Sequence, residues 1–300
     1  MRVFVTGGTG AIGGYAVPAL VAAGHTVTAL TRTDAKAEIL RDQGAGPVQV
    51  SLFDRSALSR AFAEHDAVVN LASALPSTSS FVRYSAWTAC ERIRTEGSAT
   101  VVDAARDAGV GTLIQESVAM IYSDGGTEWI DESHPVDHFP IARGNHAAEA
   151  SARRFAAVGG NAVVLRFGVF YGRGAAHSEQ ILDLARRHIG FVPGRSTAYL
   201  SAIHLEDAAA AVVAALTAPG GTYNIVDDRP LTKRDHAQAC ADAVGVTTWL
   251  RVPGRLALLL GDRTTSLTRS LRVSNDRFRA ATDWRPRYPS AREGYATMAD

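Results

Sequence analysis

The sequence predicts an α/β fold in which a doubly wound parallel sheet is covered by helices on both faces and is followed by a smaller C-terminal α/β domain. Short β-branched and apolar runs alternate with helical patterns over more than half of the 300 residues. A strand, a glycine-rich turn and a helix open the chain, and from about Tyr171 the alternation gives way to short irregular segments. A chain of this length can bury the core that such a fold needs.

The individual elements follow from periodicity and end signals. A helix from about Ala11 to Ala23 should end at Gly24, and Asp54 should cap a helix over "RSALSRAFAEH". Longer helices are expected from about Glu91 to Ala108 and from Ala142 to Val158. The predicted strands are "RVFVT", Thr26 to Leu30, "PVQVSLF", "AVVNLAS", "TLIQESV" and part of "NAVVLRFGVFYG".

Composition excludes several classes of protein. The formal net charge is +1, which gives no electrostatic reason to expect nucleic acid or an acidic membrane surface as a partner. Cys90 and Cys240 lie far apart, so neither a disulfide framework nor a cysteine metal site is expected. There is no run of 18 apolar residues and no basic leader after Met1. We therefore expect a cytoplasmic protein with no metal site.

The turn "TGGTGAIG" carries the clearest chemical signal. It places Gly7, Gly10 and Gly13 after an apolar strand and at the opening of a helix. A pyrophosphate binds against backbone N–H groups at such a helix N-terminus, and a Cβ atom would block its approach. The context predicts a Rossmann-type dinucleotide site in which Ala11 and Ile12 also take part. Residues 1–165 with 199–226 should form this cofactor domain, and 166–198 with 227–300 the substrate-binding domain.

Several further segments resemble the extended short-chain dehydrogenases/reductases, a class that includes sugar-nucleotide epimerases, dehydratases and carbonyl reductases. They are the glycine turn, "EGSATVVDAARDAGV", "VVLRFGVFYG", "SAIHLEDAAAAVVAAL", "TYNIVDDRPLT" and "WRPRYPSAREGY". The resemblance covers nearly the whole chain. It implies that Leu52 lies near the adenine, that Ala72 and Ser73 form the cofactor loop after the fourth strand, and that Phe167 also contacts the cofactor.

The end of the second strand favours NADPH. Sites that prefer NAD usually carry an acidic residue there, which hydrogen-bonds the ribose 2′-hydroxyl. This chain has Thr31 at that position, followed by Arg32. A guanidinium can bind a 2′-phosphate through charge-assisted hydrogen bonds. Arg32 could instead be a solvated loop charge.

The class is expected to carry Tyr and Lys four residues apart on one helix, and this chain has neither. Aligned on Glu149, the Tyr position falls on Ile141 and the Lys position on Asn145. Counted back from Tyr122, the catalytic hydroxyl position falls on Val118. Ser117 lies one residue earlier and is the candidate catalytic hydroxyl if the alignment slips.

The Asn position of the class falls on Arg94, so all four catalytic positions depart from the pattern. Three interpretations remain open. The protein could be a non-catalytic NADP(H) sensor, or another side chain could have taken over proton transfer, or the substrate could supply its own proton. Candidates for the second are Glu116, Ser117, Tyr122, His146, His177 and His204, although "AIHLEDAAAA" favours a structural role for His204.

The substrate end is rich in aromatic residues. Contacts are expected from Tyr122, His177, Gln180 and Tyr199, and the pocket candidates are Phe167, Phe170, Tyr171, Phe191, Tyr199, Leu200 and Trp249. The arginines of "RSLRVSNDRFR" could bind a sugar-nucleotide phosphate or line a solvated helix. With the dyad missing, the chain resembles the atypical ketoreductases of aromatic polyketide biosynthesis. That resemblance implies NADPH-dependent reduction of a ring ketone of an aromatic small molecule, angucyclinone-like, and the helix "NHAAEASARRFAAV" could pair two copies in a homodimer.

Overall fold

The computed structural model describes residues 1–190, 193–248, 250–251 and 254–298. Phe191 and Trp249, two of the expected pocket residues, lie outside the described residues. The strands are β1 Arg2–Thr6, β2 Thr26–Thr31, β3 Gly46–Gln49, β4 Ala67–Asn70, β5 Thr112–Val118, β6 Trp129–Ile130, β7 Asn161–Phe167, β8 Val169–Tyr171, β9 Ile189–Gly190, β10 Tyr199–Leu200, β11 Ala202–His204, β12 Gly221–Ile225, β13 Leu231–Thr232, β14 Leu250–Arg251 and β15 Arg272–Val273.

The helices alternate with these strands. They are α1 Gly13–Ala22, α2 Asp34–Asp42, α3 Arg55–Phe62, α4 Thr88–Arg92, α5 Ser98–Asp107, α6 Arg143–Ala156, α7 Ala176–Arg186, α8 Leu205–Ala215, α9 Lys233–Ala243, α10 Thr265–Thr268, α11 Asp276–Ala281 and α12 Ala291–Ala296. A π-helical turn, Ile93–Gly97, joins α4 to α5. The chain is therefore helical from Thr88 to Asp107, which confirms the long helix predicted there.

The main sheet has seven strands in the order β12-β7-β5-β4-β1-β2-β3, and every neighbouring pair is parallel. Strand β1 is buried on both faces: Val3 and Val5 pack toward α1 and α8, while Phe4 packs toward α3 and α5. Helices thus cover both faces, as predicted for a doubly wound fold. The order reverses between β1 and β4, which makes their carboxyl ends the binding crevice.

Local signals correctly placed six of the seven strands of the main sheet and the helices α1, α3, α5 and α6. The Asp54 side chain accepts from the Ala57 N–H and caps α3 as predicted. Gly24, at φ +83°, follows α1 in the left-handed conformation that glycine favours. Helix α2 was not predicted; Thr33 caps it by accepting from the Lys36 N–H.

The C-terminal half contributes short two-stranded pairs beside the main sheet. Strand β8 pairs with β11, β10 with β13, β9 with β14 and β6 with β15. Helices α7, α9 and α12 supply a separate apolar cluster that contains Tyr171, Cys240 and Tyr295. The division into two domains at the predicted boundaries stays a prediction. In the described part of the chain, no helix has the length and apolar character needed to cross a membrane.

Candidate cofactor and active site

The glycine turn packs directly against the end of β4. Gly7 has φ +72°, and a Cβ there would lie 2.5 Å from the Leu71 carbonyl oxygen. A Cβ on Gly13 would lie 2.1 Å from the Gly7 carbonyl oxygen, so only glycine allows this turn. Ile12 is buried in the core, whereas Gly10 and Ala11 are exposed at the switch point. These residues fit a pyrophosphate, because the backbone is bare at the first turn of α1.

Buried side chains tie the carboxyl ends of β1, β4 and β5 together. The Thr6 hydroxyl donates to Asn70 Oδ1 at 2.6 Å, and Asn70 Nδ2 donates to Gln115 Oε1 at 2.8 Å. Ala72 and Ser73 follow β4 after Leu71, and Ala72 lies beside Gly7. The structure therefore brings the glycine turn and the predicted cofactor loop together, with Ser73 exposed at the crevice.

Arg32 lies exposed at the end of β2 and has no ion-pair partner among the residues that the structure describes. Leu52 is half-buried, and it packs so closely on Gly97 that a Cβ there would lie 2.8 Å from Leu52 Cδ2. Phe167 is fully buried at the end of β7, with its ring 5.1 Å from that of Phe170. Its side chain is a core residue, so only its backbone could face a ligand.

The position of the missing acid is apolar. Val118 and Ile141, at the hydroxyl and Tyr positions, pack in one small cluster with Ile121, Phe139 and Ala142. The residue before Val118 in β5, Ser117, points to the opposite side of the strand, because successive side chains alternate. No proton donor replaces the Tyr within this cluster.

Ser117 is fully buried, and its hydroxyl donates to Glu149 Oε1 at 2.7 Å. Glu149 also accepts two hydrogen bonds from Arg166, both at 2.8 Å. Burial alone would raise the pKa of Glu149, but the bonds and charge of Arg166 outweigh it and lower that pKa. Ser117 thus belongs to a buried ion-pair cluster, and its position argues against the predicted catalytic role.

Tyr122 is held by other protein groups. Its side chain is fully buried, its hydroxyl donates to Asn224 Oδ1 at 2.8 Å, and the Arg166 guanidinium lies over its ring. Burial raises the pKa of Tyr122 to about 12. A phenol held in this way offers no free hydroxyl to a substrate, so the predicted contact is not supported by its geometry.

In the sequence, Arg94 and Asn145 are only departures from the family pattern, whereas the structure brings them together. Arg94 donates to Asn145 Oδ1, to Glu116 Oε1 at 2.8 Å and to Ser73 Oγ at 3.4 Å. Arg94, Glu116 and Asn145 are almost wholly buried. Burial raises the pKa of Glu116 against the opposing effect of Arg94. The available signal was a basic residue at helical spacing between Cys90 and Val101, on the face of the helix that is buried.

The remaining candidates are scattered. His146 hydrogen-bonds the Asp137 carbonyl and lies against His138, beside a cavity of about 290 Å³ that Phe139, Pro140 and Arg143 also line. His204 is buried and caps α8 by accepting from the Glu206 N–H, which fits the expected structural role.

The predicted substrate residues lie on different elements. His177 is half-buried, its Nε2 has no partner in the described ranges, and burial lowers its pKa. Gln180 is exposed one turn further along α7. Tyr199 is half-buried under the Arg272 guanidinium. Across the residues described, no group of three or more His, Cys, Asp or Glu side chains could hold a metal ion.

Comparison with known proteins agrees with this architecture. The NAD dependent epimerase/dehydratase family matches residues 3–226. A 3-diazoavenalumate denitrifying reductase from Streptomyces sp. is 33% identical over 98% of this chain and 99% of its own length. A 4-hydroxy-2-methyl-3-oxo-4-farnesyl-3,4-dihydroquinoline-1-oxide ketoreductase from Stigmatella aurantiaca is 30% identical over 82% of this chain and 74% of its own.

Solved structures match over the whole chain. Human epimerase family protein SDR39U1 with NADPH aligns with a TM-score of 0.81 and 25% identity, covering 100% of this chain and 99% of that one. The UDP-glucose 4-epimerase of Thermus thermophilus in complex with NAD has the same TM-score and identity, covering 100% of this chain and 98% of that one. The seven-stranded parallel sheet, the glycine turn and these relatives lead to one conclusion: the chain belongs to the NAD dependent epimerase/dehydratase family, within the extended short-chain dehydrogenases/reductases, and has the fold of an NAD(P)-dependent oxidoreductase.

Proposed function

We propose that this protein is an NADPH-dependent ketoreductase that reduces a ring ketone of an aromatic polyketide, angucyclinone-like, to a secondary alcohol. The proton for the carbonyl oxygen comes from a neighbouring hydroxyl of the substrate itself. The observation that carries the proposal is the apolar Val118–Ile141 cluster at the place of the acid, in a chain that keeps a complete glycine turn. The family's cofactor site is kept while its acid is not.

The nearby polar side chains are already engaged. Ser117 donates to Glu149, Tyr122 donates to Asn224, and Arg94 is paired with Glu116. None of them presents a free acidic proton to the crevice. A substrate whose ketone lies beside a phenol has an internal O–H···O hydrogen bond, and that bond supplies what the chain lacks.

The balance of the reaction fits this arrangement. NADPH, when bound, supplies the hydride to the carbonyl carbon. The carbonyl oxygen takes the proton of the neighbouring hydroxyl, and water returns a proton to the resulting phenolate. The protein has to hold the hydride donor and the carbonyl carbon in contact and to exclude water from the apolar side of the site. Such positioning can supply effective molarities of about 10⁵ M or more. A positioned acid, by comparison, raises the rate by a factor of roughly 10²–10⁴.

NADPH is favoured over NADH because Arg32 is exposed and without an ion-pair partner in the described part of the chain, while no acidic residue ends β2. A 2′-phosphate would gain charge-assisted hydrogen bonds from its guanidinium. With an acid at Thr31, the same phosphate would be repelled.

The contacts that the arginines of "RSLRVSNDRFR" make within the protein disfavour a sugar-nucleotide substrate. Arg269 is buried and pairs with Asp137, Arg272 stacks on Trp129 and Tyr199, and Arg279 pairs with Asp228. Protein groups thus already engage three of the four arginines that could have met a diphosphate; the fourth, Arg277, lies over the Tyr223 ring. The Stigmatella relative supports a ring ketone, because its name describes a 3-oxo group beside a 4-hydroxy group on a bicyclic ring.

A second candidate follows from the relative that acts on a diazo compound. Hydride addition to the terminal nitrogen of an aryl diazonium gives an aryl diazene, which loses N₂ to leave the arene. The acceptor is already cationic, so no alkoxide forms and no acid is needed. The same apolar site therefore suits this chemistry as well.

The proposal is tested by following NADPH oxidation with three classes of acceptor: aryl ketones with a neighbouring hydroxyl, simple ketones, and an aryl diazonium. Turnover of the first class and of no simple ketone supports ketone reduction with substrate assistance. Turnover of the diazonium alone favours the second candidate. Tight NADPH binding with no turnover of any acceptor would instead identify a cofactor sensor.

A further inference from the structure

The surface of the described residues carries one group of successive exposed apolar side chains. Leu258, Leu259 and Leu260 are 45%, 82% and 46% exposed. The other exposed large apolar side chains in the described part of the chain stand singly along the sequence. Single exposed apolar residues are ordinary, whereas a contiguous apolar group indicates a binding surface. We call Leu258–Leu260 the leucine tip.

The leucine tip projects from the surface because of the helix that carries it. It belongs to the 3₁₀-helical segment Gly254–Arg263, which is kinked at Gly261 with φ +53°. A 3₁₀ helix has three residues per turn, so three successive side chains point in three different directions. All three leucines are exposed, and the segment therefore has little protein around it at this point. Its base is fixed, since the Thr264 hydroxyl donates to the Ala257 carbonyl at 2.6 Å.

The segment that carries the tip lies beside the proposed substrate site. It runs next to the turn Pro140–Ala142, which holds Ile141 at the family's Tyr position. The short helix Tyr84–Trp87, in the connection after β4, lies beside the same turn. The Arg263 guanidinium is 5.4 Å from the centre of the Tyr84 ring, so the two segments also meet each other. The leucine tip therefore stands at the mouth of the space where a ketone would lie.

The size of the apolar group fits a small molecule better than a protein. The exposed apolar side chains here are the leucine tip and Tyr84, which is 41% exposed. A standard protein interface has about 20–30 residues on each side, so a second copy of the chain would find too few partners here. The two charged residues that follow the tip, Asp262 and Arg263, are of opposite sign. They give no net charge that would favour an ionic ligand.

We propose that the leucine tip and Tyr84 bind an uncharged hydrocarbon part of the substrate, which extends out of the crevice while the ketone lies beside Ile141. The inference rests on the proposed function for the position of the ketone. It adds a substrate class, namely ring ketones that carry an apolar extension remote from the reacting carbonyl. Contact between the extension and the leucines removes both surfaces from water, and this burial supplies the binding free energy.

The test measures how tightly two ring ketones bind in the presence of saturating NADP⁺. 8-Hydroxy-1-tetralone has the ketone and its neighbouring phenol, and its 6-hexyl derivative adds an apolar chain on the far side of the ring. The variants are Leu259→Ser, at the most exposed position, and a triple variant that adds Leu258→Ser and Leu260→Ser. Val158→Ser is the matched control, because Val158 is 58% exposed and lies between α6 and β7, at the opposite edge of the sheet from the crevice.

The parent protein and Val158→Ser are expected to bind the hexyl derivative about tenfold more tightly than the unsubstituted ketone, the effect of burying about two methylene groups. In the triple variant this preference should fall to within about twofold, and Leu259→Ser should be intermediate. The unsubstituted ketone should bind equally to all four proteins. The proposal is overturned by no preference in the parent protein, by a preference that survives the triple substitution, or by an equal loss for both ketones.

Two further measurements separate this inference from its alternatives. Sedimentation that shows a dimer of the parent protein and a monomer of the triple variant would make the tip an interface between copies and overturn the proposal. NADPH oxidation with the unsubstituted ketone tests the proposed function alone. Reduction without a preference for the hexyl chain would contradict only the role of the tip, and the preference without reduction would contradict only the ketoreductase. Binding of neither ketone would contradict both.

Discussion

The two sides of the binding crevice differ in which of the family's functional residues they retain. On the glycine-turn side, Gly7 and Gly13 keep a backbone that no other residue could form, and Arg32 stands exposed beside it. On the α6 side, the scaffold persists in Glu149 and Arg166, but Val118 and Ile141 replace the reacting groups. The chain thus keeps the backbone of the family's cofactor turn but not the side chains of its Tyr and hydroxyl positions.

The largest expected effect lies on the glycine-turn side. Gly13→Ala places a Cβ 2.1 Å from the Gly7 carbonyl oxygen, so the turn must open and lose its fit to a pyrophosphate. We expect NADPH affinity, measured by fluorescence titration, to fall by about a hundredfold or more, comparable with the loss of several charge-assisted contacts. Gly14→Ala is the matched control, because nothing lies within 4 Å of its added Cβ. Equal affinities in the two variants would contradict this account of the turn.

On the α6 side, the expected effect is on stability. Glu149→Gln leaves the buried Arg166 without its countercharge and should lower the free energy of unfolding by about 3–5 kcal/mol in urea titrations at pH 7. Because the pKa of Glu149 is lowered, its carboxylate stabilises the fold at pH values above the usual pKa of a Glu side chain. That contribution is lost as the pH falls through the folded-state pKa, so the difference between the two proteins should shrink in acid.

The control is Glu96→Gln, which breaks the exposed pair with Arg92 and should cost less than about 1 kcal/mol. A similar loss of unfolding free energy in both variants would mean that the buried Glu149–Arg166 pair stabilises the fold no more than an exposed pair does.

Arg32→Asp probes the cofactor preference. Loss of charge-assisted hydrogen bonds worth about 1.5–3 kcal/mol should reduce the preference for NADPH over NADH by roughly ten- to a hundredfold. The ratio of the two dissociation constants is the measurement. Arg41→Gln, on the exposed face of α2, should leave the ratio unchanged. An unaltered ratio in Arg32→Asp would make Arg32 a solvated charge.

The smallest effects on kcat are expected from substitutions of the candidate substitute acids. Ser117→Ala removes one hydrogen bond to Glu149, and His146→Ala removes a contact with a backbone carbonyl. We expect each to keep kcat within about tenfold of the parent protein, since loss of a true general acid typically costs roughly 10²–10⁴. A thousandfold loss in either, with folding intact, would show that the chain does supply the acid.

Six of the seven strands of the main sheet were predictable from the sequence, because they have local signals such as the apolar run of β5. The edge strand β12 was not predicted. Helix α2 was missed because its pattern is short and largely exposed. The glycine turn was predictable for the same local reason.

The environment of the α6 side was not predictable. Whether Ser117 faces the crevice or Glu149 depends on the register between β5, β7 and α6, which joins residues far apart in the chain. The burial of Tyr122 against Asn224 and the cluster around Arg94 have the same long-range origin. The sequence shows which residue types stand at these positions, but packing decides their partners.

The central claim is that the substrate supplies the proton. It is tested most directly by comparing kcat/KM for an aryl ketone with a neighbouring phenol and for the O-methyl ether of the same compound, with NADPH saturating. If the substrate hydroxyl acts as the acid, the ether should be slower by roughly 10²–10⁴ while still binding. Equal rates for the two compounds would contradict the account and require a proton donor on the protein.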